Sequence, residues 1–337
     1  MSLPEYQFLS APLWLINTLH HITLTLHLIA MNFLFGGLVT ILFGKFTNRW
    51  EHPVVQQFVK LLPTAMAATV TFGVAPLLFV QLVYPQQIYS ASIVSAWPWL
   101  FIIPAVIIAY YFLYGASFGK SMDKGVFLGI ALAGLVYVSF VYSSVFSLAE
   151  DTVRAKEIYA SNQSGLLFNP DVGHYVFRWL HMVFGAITVG GFFVGWIGRA
   201  NETAYKVGKQ FFLWGMAVAS LFGLIYLFTL GEKLVPLMRT PGIWALTLGI
   251  ILSAGSLHFY FKKKFVPSAA MVFVSMLMMV YTRHHVRMVH LDGVYDPANI
   301  PVVGQWSIFI VFLICFVVAI AMVWYMIKLF TARPSQS

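Results

Sequence analysis

The chain has 337 residues, of which 60% are hydrophobic and only 9% are charged, and its mean hydropathy is +0.83. This composition excludes an ordinary soluble domain and predicts an integral membrane protein. The formal net charge of +9 does not indicate nucleic-acid binding, because the basic residues are spread over the connections and form no single patch.

About nine apolar runs are long enough to cross a bilayer. They cover residues 12–43, 58–84, 97–118, 125–148, 174–198, 207–230, 242–261, 266–288 and 304–330. The sequence therefore predicts an all-α integral membrane helical bundle. We expect one polytopic domain over residues 1–337, with a main bundle in 1–231 and a three-helix part in 240–331.

The distribution of basic residues predicts the orientation of this bundle. If nine helices alternate in direction, one side collects most of the lysines and arginines, including Lys45, Arg49, Lys124, Arg199, Lys262, Lys263 and Lys264. By the positive-inside rule that side is cytoplasmic. The N-terminus is then expected outside and the C-terminus in the cytoplasm.

The first span contains three histidines, His20, His21 and His27. His20 and His27 are seven residues apart and share a helix face, whereas His21 points about 100° away. A histidine within a membrane is costly and usually binds a metal, carries protons or has a polar partner. A bond to a neighbouring carbonyl or contact with water would explain any one of them, but explains three together less well.

Two features mark the second and fifth spans. Gly73, Pro76 and Pro85 are expected to break or bend the second helix near its outer end. The fifth helix starts after Asn169 and Pro170, and it contains His174 and His181, two turns or about 10 Å apart on one face. Haem iron is the natural candidate for the metal that such histidines would bind.

The eighth span is the second concentration of histidine. His284 and His285 are adjacent, so only one of them can face a given centre, and Arg283 and Arg287 flank them. Arginine forms bidentate hydrogen bonds with carboxylates, so these two residues are predicted partners of haem propionates.

All acidic residues lie in loops or at helix ends, so no carboxylate sits within a predicted span. In the short outer loop after the sixth helix, Glu232 and Lys233 could accept protons from a quinol and orient its oxygens. A solvated salt-bridged loop is the alternative for this pair.

The single cysteine, Cys315, excludes disulfides, iron–sulfur clusters and zinc thiolate sites within this chain. A C-x-x-C-H motif for covalent haem attachment is also missing. Any haem must therefore be held non-covalently by histidine.

Three segments carry a resemblance to a known family: LHHITLTLHLIAMNFLFGG, VKLLPTAMAATVTFGVAPLLFVQLVYPQQIYS, and FNPDVGHYVFRWLHMVFGAITVGGFFVGWIGR. Together with the following helix, they resemble the first six helices of subunit I of cytochrome bd-type quinol oxidases. The resemblance covers about two thirds of the chain. It implies that His21 matches the first-helix haem ligand, His181 the fifth-helix ligand, and Glu232 with Lys233 the outer quinol-binding loop.

The departures from that family are equally informative. The third helix lacks the glutamates that accompany the oxygen-reactive haem, and the outer loop is shorter. The additional histidines, His20, His27, His174, His284 and His285, suggest bis-histidine b-type haems, two or more, in its place.

The resemblance implies a haem b-binding subunit of a respiratory complex in the inner membrane of a prokaryote. It would pass electrons between the quinone pool and an extracytoplasmic partner, such as a multihaem c-type cytochrome. A bd-like quinol oxidase that reduces oxygen is one alternative. A haem-free transporter or assembly subunit with a histidine proton relay is the other.

Overall fold

The computed structural model of the chain describes residues 8–119 and 123–332, without the side chains of His174 and of some residues in the last helix. Within these ranges the regular structure is helical, and the one strand-like pairing is an isolated parallel bridge between Leu9 and Val302. The predicted all-α class is confirmed.

Thirteen α-helices follow one another in the described ranges. They are α1 (Leu13–Phe43), α2 (Pro53–Val83), α3 (Pro85–Val94), α4 (Ala96–Leu100), α5 (Ile102–Phe118), α6 (Lys124–Leu148), α7 (Thr152–Ser161), α8 (Val172–Ile197), α9 (Glu202–Thr229), α10 (Leu234–Met238), α11 (Gly242–Phe261), α12 (Phe265–Leu291) and α13 (Trp306–Ala332). Short 3-10 turns, Gly231–Lys233 and Pro297–Asn299, lie in two of the connections.

Eight segments of the described chain are long and apolar enough to cross a membrane, and they coincide with the first eight predicted spans. A multi-pass membrane bundle is therefore confirmed. The ninth predicted run, 304–330, forms α13, in which the apolar stretch found among the described residues is Trp306–Val318. The total of nine spans and the orientation of the bundle stay predictions.

The helix ends follow from local sequence. Asp123 caps α6 by accepting a hydrogen bond from the backbone N–H of Gly125 (2.8 Å), and Asn201 caps α9 in the same way. Helix α2 continues through Gly73 and Pro76 and ends at Val83. Pro85 then occupies the first position of α3, where its missing N–H is tolerated.

Helix α1 is central and packs against α2, α8 and α12, while α8 pairs with α9, α5 with α6, and α11 with α12. The closest approach joins α1 to α8. A Cβ atom on Gly36 would lie 1.7 Å from the carbonyl oxygen of Ala186, and one on Gly190 would lie 1.9 Å from the carbonyl carbon of Gly36. Glycine therefore lets the two backbones touch, as small residues do in membrane bundles.

At the other end of α1 the connections of several helices meet. The Tyr295 hydroxyl donates to the carbonyl of Val83 (2.7 Å), and the N–H of Leu9 donates to the carbonyl of Pro301 (2.8 Å). The N-terminal segment, the end of α2 and the connection after α12 thus share one end of the bundle. We call it the histidine end, because the rings of His20, His21 and His284 lie there.

Candidate functional site

His27 and His181 occupy matching environments on neighbouring helices. Nδ1 of His27 lies 2.9 Å from the carbonyl oxygen of Thr69, and Nδ1 of His181 lies 2.8 Å from that of Ala219. Each ring also rests on a glycine one turn further along the partner helix. A Cβ atom on Gly73 would lie 2.9 Å from the His27 ring, and one on Gly223 would lie 2.8 Å from Nδ1 of His181.

His20 repeats the arrangement near the end of the bundle, with its Nδ1 at 3.1 Å from the carbonyl oxygen of Pro76. A carbonyl oxygen only accepts, so the hydrogen of each neutral ring sits on Nδ1. The lone pair of Nε2 is then free on all three rings, and this is the tautomer that ligates a metal. The carbonyl bonds that would explain these histidines without a ligand are present, yet they use only one nitrogen of each ring.

His27 and His181 also lie at similar depth. His21 on α1 and Arg178 on α8 both belong to the histidine end, so α1 and α8 run in the same direction from there to their contact at Gly36. At about 1.5 Å per residue, His27 lies ~13 Å before that contact and His181 ~7–13 Å before it.

Open space borders the His181 face of α8. A Cβ atom on Gly185, one turn after His181 and on the same face, would meet nothing within 4 Å. The His181 ring itself is only half-buried. Space of this kind on the helix face that contains His181 is compatible with a ligand.

A second group of rings connects α1 to α12. The ring centroid of His21 lies 5.0 Å from that of His284 and 5.6 Å from that of Tyr281, and Tyr281 lies 4.7 Å from His285. Nε2 of His21 and Nε2 of His285 are buried without a hydrogen-bond partner in the described part of the chain. Such groups are expensive unless something else satisfies them.

One buried carboxylate lies among three arginines at the histidine end. Arg178 contacts Glu150 at 3.1 Å, Arg283 contacts the other carboxylate oxygen, and Arg287 lies 3.8 Å from that oxygen. The Glu150 side chain is 2% exposed. Burial alone would raise the pKa of Glu150, but the guanidinium groups of Arg283 and Arg178 outweigh it and hold the pKa at about 2.

This cluster contains more positive than negative charge. Three guanidinium groups face one carboxylate, and Arg283 Nη1 is buried with no hydrogen-bond partner among the described residues. Arg178 also donates to the carbonyl of Ser143 (2.7 Å). The excess of two positive charges favours a doubly charged anion nearby.

Glu150 and Arg178 were missed by the sequence reasoning. Glu150 does lie just after a helix, as predicted for every carboxylate, but it is buried and not solvated. The available signal was Arg178 itself, because an arginine inside a membrane span needs a partner.

The remaining predicted residues are less informative. Glu232 and Lys233 are exposed on the Gly231–Lys233 turn, so their quinol role stays a prediction. The side chain of His174 lies outside the described part. In the residues that were described, no group of three or more His, Cys, Asp or Glu could hold a metal ion, and a haem, whose porphyrin supplies four nitrogens, needs only axial ligands from the protein.

Comparison with known proteins adds no assignment: no family model, no curated protein and no solved structure matches this chain.

Proposed function

We propose that this chain is a haem b-binding membrane subunit that passes electrons between the quinone pool and an extracytoplasmic redox partner. One observation carries the proposal. Three histidines in two adjoining spans have Nδ1 bonded to a backbone carbonyl, so the neutral ring keeps its Nε2 unprotonated and able to bind a metal. Rings held this way are oriented in advance for iron ligation.

The residues present suit haem in both their chemistry and their charge. His27 and His181 lie at similar depth and would provide axial nitrogens, and His20, His21, His284 or His285 would do so nearer the histidine end. Arg283 and Arg287 would pair with propionates, because the arginine cluster has an excess of two positive charges and haem carries two propionates.

The same residues favour electron transfer over oxygen chemistry. Bound haem would supply one-electron redox chemistry, and iron ligated by two histidines has no open position for oxygen. The chain's own part is to hold the rings, neutralise the propionates and exclude water. The partner would be an extracytoplasmic c-type cytochrome or another subunit of the complex, in the inner membrane of a prokaryote.

A reduced-minus-oxidised spectrum of the purified protein, with and without CO, tests the proposal. We expect sharp b-type bands that CO does not change. His181→Ala and His27→Ala should each remove part of the absorbance, whereas His258→Ala, at an exposed position near the opposite end of the bundle, should leave it intact.

Two outcomes would contradict this proposal. Protein without haem absorbance would favour the transporter or assembly alternative. A CO-induced shift of a band that depends on these histidines would show an open iron position and bring the oxygen-reductase alternative forward.

A further inference from the structure

Two basic connections meet at the end of the bundle opposite the histidine end. Basic residues are spread over several connections of the sequence, but the fold brings the start of α9 against the turn that joins α11 to α12. Nζ of Lys209 lies 4.6 Å from the centroid of the Phe261 ring, and Nζ of Lys263 lies 4.9 Å from that of Tyr205. Each lysine therefore crosses from its own connection to an aromatic ring of the other.

We call this surface the lysine patch. It comprises the five lysines of the stretches 202–209 and 262–264, namely Lys206, Lys209, Lys262, Lys263 and Lys264. The same stretches contain one acidic residue, Glu202, whose carboxylate lies 3.5 Å from Nζ of Lys206. Four positive charges are therefore in excess, and all of these lysines except the half-buried Lys209 are exposed.

A buried aromatic floor supports the lysine patch. The rings of Tyr205 and Tyr260 stack with their centroids 5.5 Å apart, and the Tyr205 hydroxyl donates to the Tyr260 carbonyl (3.3 Å). Phe212 and Phe265 are buried against the same rings. The floor thus fixes the start of α9 against the end of α11. Rings in fixed positions restrict the lysines that lie over them, and groups ordered in advance lose less entropy on binding.

The lysine patch lies where the head groups of membrane lipids would be. It is at one end of α9, α11 and α12, each of which is long and apolar enough to cross a membrane. On the membrane side of the lysines, Leu213 follows Lys209 by about one turn and is 38% exposed, and Phe261 is 42% exposed. Positive groups therefore border exposed apolar side chains. This end is also the one predicted to be cytoplasmic, where anionic lipids attract basic segments.

We infer that the lysine patch binds the head group of an anionic phospholipid, with the ammonium groups of Lys209 and Lys263 pairing with its phosphodiester. The acyl chains would lie along Leu213 and Phe261. An acidic peptide or a nucleic acid would use the charge but not the apolar border, whereas a phospholipid uses both. The inference is independent of the haem proposal, because it concerns the other end of the bundle and involves no histidine.

Native mass spectrometry of the purified, delipidated protein in detergent tests the site. The probes are dioleoylphosphatidylglycerol and dioleoylphosphatidylcholine, which have the same acyl chains, and we expect the wild type to prefer the anionic lipid. One basic side chain at a membrane surface changes lipid affinity about fivefold, so Lys209→Gln/Lys263→Gln should raise the Kd for phosphatidylglycerol about 10- to 30-fold. Lys209→Arg/Lys263→Arg keeps both charges and should bind as the wild type does.

The matched control is Lys60→Gln/Lys124→Gln, which removes two lysines near the starts of α2 and α6, at the same end of the bundle. It should leave the Kd unchanged. Equal losses in the two double glutamine variants, or equal affinity of the wild type for the two lipids, would overturn the site. Millimolar glycerol 3-phosphate should not displace the lipid, and displacement would overturn the inference in favour of a soluble phosphate ligand.

Discussion

The two ends of the bundle are held together in different ways. Away from the histidine end, α1 and α8 meet backbone to backbone at Gly36 and Gly190, and buried aromatic rings such as Phe58 and Phe212 fill the remaining volume. We call this the closed half. At the histidine end the helices are joined by ion pairs and by bonds from histidine rings to carbonyls.

This difference suggests that the closed half mainly stabilises the bundle, whereas the histidine end contains the candidate site. In the closed half, α1 and α8 associate through close van der Waals contact at small residues. At the histidine end, buried nitrogens of His21, Arg283 and His285 have no hydrogen-bond partner within residues 8–119 and 123–332. Positive charge is also in excess there. Polar groups of this cost inside a membrane are the best guide to a functional site.

Gly190→Leu should have the largest effect, because it breaks the closed half. Any Cβ atom at this position would overlap the backbone of Gly36, so α1 and α8 would have to separate. We expect no monodisperse folded protein in detergent, as judged by size-exclusion chromatography. Gly129→Leu is the matched control, since nothing lies within 4 Å of a Cβ atom at Gly129. Equal yields of the two variants would contradict close contact between α1 and α8.

Glu150→Gln should break the histidine end, with a somewhat smaller effect. Without the carboxylate, the buried guanidinium groups of Arg178 and Arg287 and the partly exposed one of Arg283 lose their common counter-charge. Loss of one partner of a buried pair typically costs about 3–5 kcal/mol. Unfolding in detergent by heat or denaturant measures the loss. Folded protein would still be obtained, because the contacts of the closed half are unchanged.

The chain contains a matched control for that substitution. Glu157 pairs with Arg154 at 3.0 Å, close to the 3.1 Å between Glu150 and Arg178, but its side chain is 59% exposed. An exposed pair contributes only about 0–1 kcal/mol, so Glu157→Gln should be nearly neutral. Similar losses in the two variants would show that burial of Glu150 does not determine its contribution.

Gly223→Ala tests how the histidine rings are positioned, and its expected effect on stability is smaller again. The new methyl group would lie 2.8 Å from Nδ1 of His181, so the ring must move. Overpacking of this kind costs about 1–3 kcal/mol. We expect a loss of b-type absorbance beyond what the loss of stability explains, whereas Gly129→Ala should change neither absorbance nor stability.

Sequence patterns predicted the helices well, because apolar length alone identifies a membrane span. The eight confirmed spans agree with the apolar runs, and seven-residue spacing placed His20 and His27 on one face. Partners across helices could not be predicted in this way. Thr69 and Ala219 take part through backbone carbonyls, so their side chains give no signal in the sequence.

The charge cluster was beyond sequence reasoning for a related reason. Arg283 and Arg287 were predicted as partners of haem propionates, and in the structure they lie beside a protein carboxylate. That carboxylate belongs to Glu150, 133 residues before Arg283, in a connection where a solvated position is the ordinary expectation. Only the packing of α6 against α8, and of α12 against α1, brings these residues together.

The smallest expected effect is on the pH dependence of stability, which tests the contribution of Glu150 at the histidine end. The pKa of Glu150 is about 2 in the folded protein, below its ordinary value of 4.5, because the arginines outweigh burial. A depressed pKa stabilises the fold fully above the unfolded value and loses that contribution as pH falls through the folded value. Thermal stability of the wild type should therefore decline between about pH 4.5 and pH 2 more steeply than that of Glu150→Gln.

Glu157→Gln should keep the slope of the wild type, because its exposed pair contributes little at any pH. Parallel curves for the wild type and Glu150→Gln would mean that the guanidinium groups are balanced by something other than this carboxylate.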